Sequence, residues 1–400
     1  MNSQPGVLSQ STRDHRLDLL KGLACILMIF AHSTFDASPL SRVLAGEGNS
    51  LIHLLYMLGE AAPILFFAVA GITACMQAKK YPPKPVLISF SLLFLLGFSY
   101  NGITERDFYQ NPAIEIIQII EFGAALVYII EYAWKPPPVA YLMIGIGVFS
   151  LKLLIDHEPL LKELFSSPQG LLIPPGKFPI FPWLFPFFMG PFAYKTRNIN
   201  NLILAGASFG LVVALKVLSF PLQVGNKWDM SLGYFLLSCI MLFSSLYVVR
   251  AFEFFKLENG KRWILFLGEF SLLFLFIHKF VIRSLHRLAA SPELYSFLSE
   301  PVLFWVATAM FTTILMKLLL KVSQIWHIKD YFQNTRSWLI LAILVLSVPA
   351  IIENSTAIYF LELTLGTMFA VYYRLIGKEL KQAGAVEAPK ASDLRSWFRG

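Results

Sequence analysis

The residues whose types and spacing could do chemistry are gathered first in RLDLLKGLACILMIFAHSTFD, positions 16 to 36. On a helix of about 100° and 1.5 Å per residue, Asp18, Lys21, Cys25, Met28, His32 and Asp36 fall on one stripe. Lys21 and His32 are eleven positions apart, or three turns, so they share a direction and stand roughly 16 Å apart in height. Leu20, Leu23, Leu27 and Phe30 supply the apolar remainder of the circumference. A charge at membrane depth costs at least about 2.5 kcal/mol on insertion scales, and such groups face a bundle interior or a wet cavity. The stripe therefore implies a polar pathway that can hold charge and carry protons. A plainer reading stays open for each part. Asp18 and Lys21 can form an interfacial i,i+3 ion pair with Lys21 reaching to water, and His32 can be a buried structural histidine held by hydrogen bonds.

Other titratable groups recur at the depth of His32. His53 and Glu60 lie in the outer part of the second apolar run, Glu115 and Gln118 in that of the fourth, and His278 in that of the ninth, where Ser271 shares its face. No two histidines stand at i,i+4, so a zinc site is not indicated. Cys25, Cys75 and Cys239 sit singly in apolar runs and read as small packing residues, neither a disulfide framework nor a thiolate metal site.

The elements that must position these groups are membrane helices. Of the 400 residues, 56% are hydrophobic and only 14% charged, against roughly a quarter charged in soluble domains, and the mean hydropathy is +0.62. The fold class expected is an all-α polytopic integral membrane protein in a lipid bilayer. Apolar runs near 17–35, 51–77, 86–100, 113–133, 138–155, 180–194, 201–220, 230–252, 263–285, 301–322, 337–353 and 356–376 give about twelve spans. The third and sixth are short, and the last two are separated only by ENS, so eleven spans or a re-entrant pair is the alternative.

A net charge of +8 does not point to nucleic acid, because basic residues in such a chain record topology. Under twelve spans, 23 of the 33 Lys and Arg fall on the side of both termini, which places the termini in the cytoplasm. Lys279, Arg283 and Arg287 break the rule at the outer end of span nine, either as a solvated rim or as an attractor of an anionic acceptor or lipid head group. Sixteen polar residues precede the first run without a cleavage site, so residues 1–16 read as a retained cytoplasmic segment, 17–377 as the membrane domain and 378–400 as a polar cytoplasmic tail. With no organellar targeting segment in view, a bacterial inner membrane is expected. The longest outer loop, 156–179, is rich in Pro and Gly and leads into FPIFPWLFPFFMG, whose prolines predict a broken start to span six.

Several of these stretches together resemble a known family. RLDLLKGLACILMIFAHSTFD resembles the first-span signature of transmembrane acyltransferases, R-x-D-x-x-(R/K)-G followed by a histidine ten intervening positions after the basic residue. ILFFAVAGITACM (64–76), FPIFPWLFPFFMG (178–190) and LGEFSLLFLFIH (267–278) resemble later spans of the same superfamily, and the Pro-Trp and LG-x-x-SL patterns resemble its heparan-alpha-glucosaminide N-acetyltransferase-like branch ahead of acyltransferase family 3. The likeness covers positions 16 to 278. Two positions depart from it: Lys21 stands where Arg is frequent, and Glu269 where a basic residue is common.

The resemblance implies an acetyl-CoA-dependent O- or N-acetyltransferase that acts across the membrane on a glycan or glycolipid acceptor, with no metal. It implies donor contacts at Lys21, Asp18 and Arg16. His32 would be the general base or, alternatively, an acyl carrier, with Asp36 orienting it or holding the acceptor. Acceptor contacts would come from His278, Glu60, Glu115, Gln118 and Trp183, and a homo-oligomer is open. The rival reading is a secondary transporter or flippase, but the one clear proline-rich break has no counterpart in the other half.

Overall fold

The computed structural model describes residues 14–34, 39–44, 46, 49–104, 114–166, 171–174, 176–223, 227–251, 258–325 and 328–376, and among them every regular element is a helix. The expected segments 1–16 and 378–400 lie wholly or almost wholly outside the described residues, as does Asp36.

The first half comprises α1 His15–His32, α2 Pro39–Leu44, α3 Ser50–Glu60, α4 Ala62–Lys80, α5 Pro83–Leu96, α6 Phe98–Thr104, α7 Ile116–Ala133, α8 Pro138–His157, α9 Pro159–Phe165, α10 Ile180–Trp183, α11 Phe185–Lys195 and α12 Asn198–Val217. The second comprises α13 Leu232–Ala251, α14 Glu258–Glu269, α15 Ser271–Leu288, α16 Pro292–Leu298, α17 Pro301–Ile325, α18 Ile328–Tyr331, α19 Thr335–Ile351 and α20 Ser355–Tyr372. Local sequence sets many of the starts. Asp14, Asn49, Asn334 and Asn354 cap α1, α3, α19 and α20 by accepting backbone N–H groups. Proline in the first turn opens α4, α5, α8, α9 and α11, where its missing N–H costs nothing and its φ is already helical.

Among the described residues, eight helical stretches are long and apolar enough to cross a membrane, and α14 with α15 makes a ninth if that bent pair is one span. The other three expected spans are helical but irregular in the relevant sense. α1 has 18 residues but carries Arg16, Asp18 and Lys21; α11 has 11 residues; α19 has 17. The third span is not short, because α5 and α6 together run over Pro83–Thr104, 22 residues. The sixth is broken as its prolines predict: Phe181 leaves helical geometry at φ −96°, ψ 116° between α10's ends. Within the 156–179 loop, Pro159–Phe165 forms α9 with Leu160 and Leu164 exposed. The ninth run is not one straight helix, since α14 and α15 meet at 94°.

The core lies where α1, α4, α11, α14 and α15 converge. Two glycines let α14 cross α1 in backbone contact: a Cβ on Gly22 would lie 2.1 Å from the Ile264 carbonyl oxygen, and one on Gly268 1.7 Å from that of Asp18. Close approach of this kind is how membrane helices gain packing when lipid is as apolar as the side chains. One of those glycines belongs to the LG-x-x-SL pattern, so that pattern has a packing cause.

Candidate active site

The α1–α14 crossing delivers the last turn of α1 to α15. There His32 Nδ1 lies 2.7 Å from His278 Nε2, with the two rings stacked at 15° and centroids 5.0 Å apart. His278 Nδ1 is 2.7 Å from the Phe274 carbonyl oxygen one turn back, and its ring lies on that of Phe274, 3° from parallel. This bonding fixes the tautomers of a neutral pair. A carbonyl only accepts, so His278 Nδ1 carries hydrogen and His278 Nε2 accepts. His32 Nδ1 must then donate, which leaves the lone pair of His32 on Nε2. A base oriented by a second group that holds its other nitrogen is the arrangement proton transfer needs.

Ser33, Trp305 and His286 hold the end of α1 in place. The Ser33 hydroxyl donates to the Ile29 carbonyl at 2.8 Å and accepts from Trp305 Nε1 at 3.0 Å, while His286 Nε2 lies 3.0 Å from the Ser33 carbonyl oxygen. His32 itself faces a cavity of about 260 Å³, whose wall includes Met28, Tyr100, Glu115, Lys177, Lys227, Trp228, Lys279, Arg283, His286 and Tyr359. All of these come from one end of the bundle: the close of α1, α6 and the middle of α15, the starts of α7 and α20, and the loops before α10 and α13.

The wall is strongly charged. Glu115 accepts from Lys177 at 2.9 Å and from the Thr104 hydroxyl at 3.0 Å, and Lys227 forms an ion pair with Glu60. Lys227 also sits 4.4 Å over the Trp228 ring, and the Arg283 guanidinium 4.5 Å over that of Tyr359. Lys177 lies in a loop, and burial pulls its ammonium down to about 8.

The structure thus brings together His32, His278, Glu115 and, through Lys227, Glu60. It does not bring in Gln118 or Trp183. Gln118 donates to Asn101 Oδ1 at 2.8 Å and accepts the backbone N–H of Glu115, a capping box that shapes the start of α7. Trp183 is fully buried between Phe67 and Phe178, and only Phe178 of that trio reaches the cavity wall. Lys177, Lys227 and Tyr359 carry no sequence signal of their own. Lys279 and Arg283 are wall residues rather than a rim, whereas Arg287, four positions on, is exposed.

At the other end of α1, Lys21 pairs with Asp18 at 2.9 Å, the interfacial ion pair that the sequence left open. Arg16 pairs with Asp14 at 2.9 Å. Between that end and the cavity the stripe is covered at Cys25, which is buried with its thiol 3.7 Å from the Leu267 carbonyl oxygen of α14. Glu269 pairs with Arg374 at 2.9 Å, so the position where the resemblance departs is a helix tie.

Fold and site together define an all-α polytopic membrane protein with an oriented imidazole pair opening on a cationic cavity. The family whose model matches is described as heparan-alpha-glucosaminide N-acetyltransferase, catalytic, over residues 13–217, half of the 400-residue chain. The chain belongs to this family and is a membrane-embedded acetyltransferase. No curated protein and no solved structure matches it. The matched half holds His32 and ends before α13, so His278, Lys279 and Arg283 join the site through the fold.

Proposed function

We propose that the chain moves the acetyl group of cytoplasmic acetyl-CoA to a hydroxyl or amine of a glycan or glycolipid on the outer side of the membrane. The observation that carries this reading is the hydrogen-bonded series from the Phe274 carbonyl through His278 to His32 at the cavity wall. In the proposed cycle His32 Nε2 takes the proton of the acceptor O–H or N–H as that atom attacks the thioester carbonyl. The C–S bond then breaks, and the departing CoA sulfur takes the same proton from His32, so the imidazole ends neutral. Direct attack by Nε2 on the thioester, giving an acyl-histidine, uses the same lone pair and is the second route.

The orientation rests on the distribution of Lys and Arg, with the membrane domain over 17–377 and both termini cytoplasmic. In this reading Lys21, Asp18 and Arg16 meet the donor's phosphates from the cytoplasm, and the cavity faces outward. Because α14 closes the stripe between them, the proposal requires α14 to move aside when the donor binds. Glu60 and Glu115 hold the lysines that contact the acceptor, and Asp36, four positions after His32 in the sequence, orients it or holds the acceptor. Gln118 and Trp183 act behind the wall. The test is purified protein incubated with radiolabelled acetyl-CoA and candidate glycans. Label should pass to glycan with the native chain and not with His32→Ala, and normal transfer by that variant would overturn the assignment.

A further inference from the structure

α14 covers the α1 stripe between Lys21 and His32, and different kinds of contact hold it along its length. Near its start, Trp263 Nε1 donates to the Thr313 hydroxyl of α17 at 3.0 Å, and the Lys317 ammonium lies 5.6 Å over the Phe266 ring. It touches α1 through Gly22 and Gly268, contacts of shape that carry no charge. Its end is held by Arg374. A helix that stops leaves its last carbonyl groups to be met from outside, and the 94° bend stops α14 at Glu269. Arg374, just after α20, donates to the Glu269 carboxylate at 2.9 Å and to the Glu269 carbonyl oxygen. Its guanidinium also lies 5.1 Å over the Phe270 ring, so one cation clamps the residue before the bend and the residue at it.

The clamp is weak in the way a latch has to be. The Arg374 and Glu269 side chains are 38% and 37% exposed, and an ion pair open to water contributes little to stability. Among these ties it is the ion pair, so another anion can take it over. A guanidinium binds a phosphate through the same fork as a carboxylate, whereas the Trp263–Thr313 bond is neutral. Contact of Gly268 with the Asp18 backbone puts the clamp at the end of α1 that carries Asp18 and Lys21.

We infer that Arg374 latches α14 over the α1 stripe and releases it when a phosphate of the donor takes the guanidinium from Glu269. The donor is that of the acyl-transfer reading, on which the inference rests. With Glu269 let go, α14 can turn about Phe270 and uncover Cys25, whose buried thiol faces the Leu267 carbonyl oxygen. Arg374 therefore controls access to the stripe and takes no part in the proton transfer at His32.

Cys25 reports the opening. The full chain in detergent is treated with a maleimide, and peptide mass spectrometry reads labelling at Cys25, with the buried Cys75 and Cys239 as controls for global unfolding. The probe is adenosine 3′,5′-bisphosphate, which carries phosphates of the donor's head group without the pantetheine arm that would itself cover Cys25. Labelling follows the open population of α14. Arg374→Gln should therefore speed it about two- to fivefold with Cys75 and Cys239 unchanged, and Arg374→Lys, which keeps the charge but not the fork, should fall between. In the native chain the nucleotide should speed Cys25 labelling by a similar factor. In Arg374→Gln it should add nothing, and in Trp263→Phe, which loosens the other end of α14, it should still act. Equal Cys25 labelling in the native chain and Arg374→Gln, or a rise shared by all three cysteines, overturns the latch. So does a nucleotide effect that survives in Arg374→Gln or is lost in Trp263→Phe. Acetyl transfer is measured separately: this labelling pattern in a chain that transfers no acetyl group overturns the acyl-transfer reading and leaves the latch, whereas transfer without the pattern overturns the latch alone.

Discussion

At the end of the bundle opposite the cavity, Glu131 accepts from Lys195 at 2.8 Å and from the Tyr141 hydroxyl at 2.6 Å, with Lys79 at 3.8 Å and the Cys75 thiol 3.3 Å from Tyr141. At the cavity end, Lys177, Lys227, Lys279 and Arg283 share their wall with one carboxylate and reach a second through Lys227. Both clusters are built from the ends of several helices. In the first, a central carboxylate satisfies what surrounds it, and Lys195 packs 4.5 Å over the Tyr141 ring. In the second, cations and an oriented histidine pair border an open volume. The first arrangement ties α4, α7, α8 and α11 together. The second holds charge and a lone pair at a surface that a ligand can meet, and a bundle that keeps such groups there gives up some stability for function.

The comparison breaks most sharply on single substitutions at the two ends. His32→Ala should lower acetyl transfer by about 10³-fold, some 4 kcal/mol of barrier, with little change in thermal unfolding because His32 is only half-buried. Retention of transfer would move the cavity into the structural class. Glu131→Ala is the mirror case. It strands Lys195 and the Tyr141 hydroxyl in a buried setting, at a cost of about 3 kcal/mol, so Tm should drop while the rate per folded molecule holds. A loss of rate with Tm unchanged would place this cluster in the catalytic cycle instead.

His278 tests whether the histidine pair belongs to the functional end as argued. His278→Ala should cut kcat by about 10²-fold, a smaller loss than removal of the tautomer-fixing partner in a Ser-His-Asp triad, and leave the KM for acetyl-CoA alone. His278→Gln offers an amide oxygen to His32 Nδ1–H and should recover part of that rate. A residue that only fills space would lower Tm in both variants and show no such recovery.

These tests also mark how much was legible in the sequence. The helical class, the run positions and the broken start of the sixth run follow from composition, hydropathy and proline, which act locally. The stripe on α1 and the candidacy of His32 follow from helical period. The bend between α14 and α15 does not, because it falls at Phe270 with no proline and no capping side chain, and it is set by α14 lying across Gly22. His278 stands out in the sequence as a polar group at a shared depth, yet its contact with His32 spans 246 positions, and no periodicity reports such a pairing. Lys177 and Lys227 sit in loops whose return to the cavity is a tertiary outcome. Gln118 and Trp183 have the right residue types and depth, but one caps a helix and the other fills a ring cluster, distinctions that packing alone makes.

The smallest effect sharpens the comparison by titration. Lys177 belongs to the cavity end, and burial holds its ammonium at about 8 rather than the ordinary lysine value of 10.5. Because the shift is downward, Lys177 is charged below that pH and loses its proton as pH rises through it, and the cavity loses one positive charge with it. For an anionic acceptor, KM should therefore rise by a few-fold, within about tenfold, between roughly pH 7 and 9, while a neutral acceptor shows no such rise. Lys177→Arg keeps its charge across that range and should flatten the profile. Substitution of Lys195 by Arg at the opposite end should leave the profile where it was, since the charges there face one another and not a ligand. A profile that responds to Lys195 and not to Lys177 would reverse the roles assigned to the two ends.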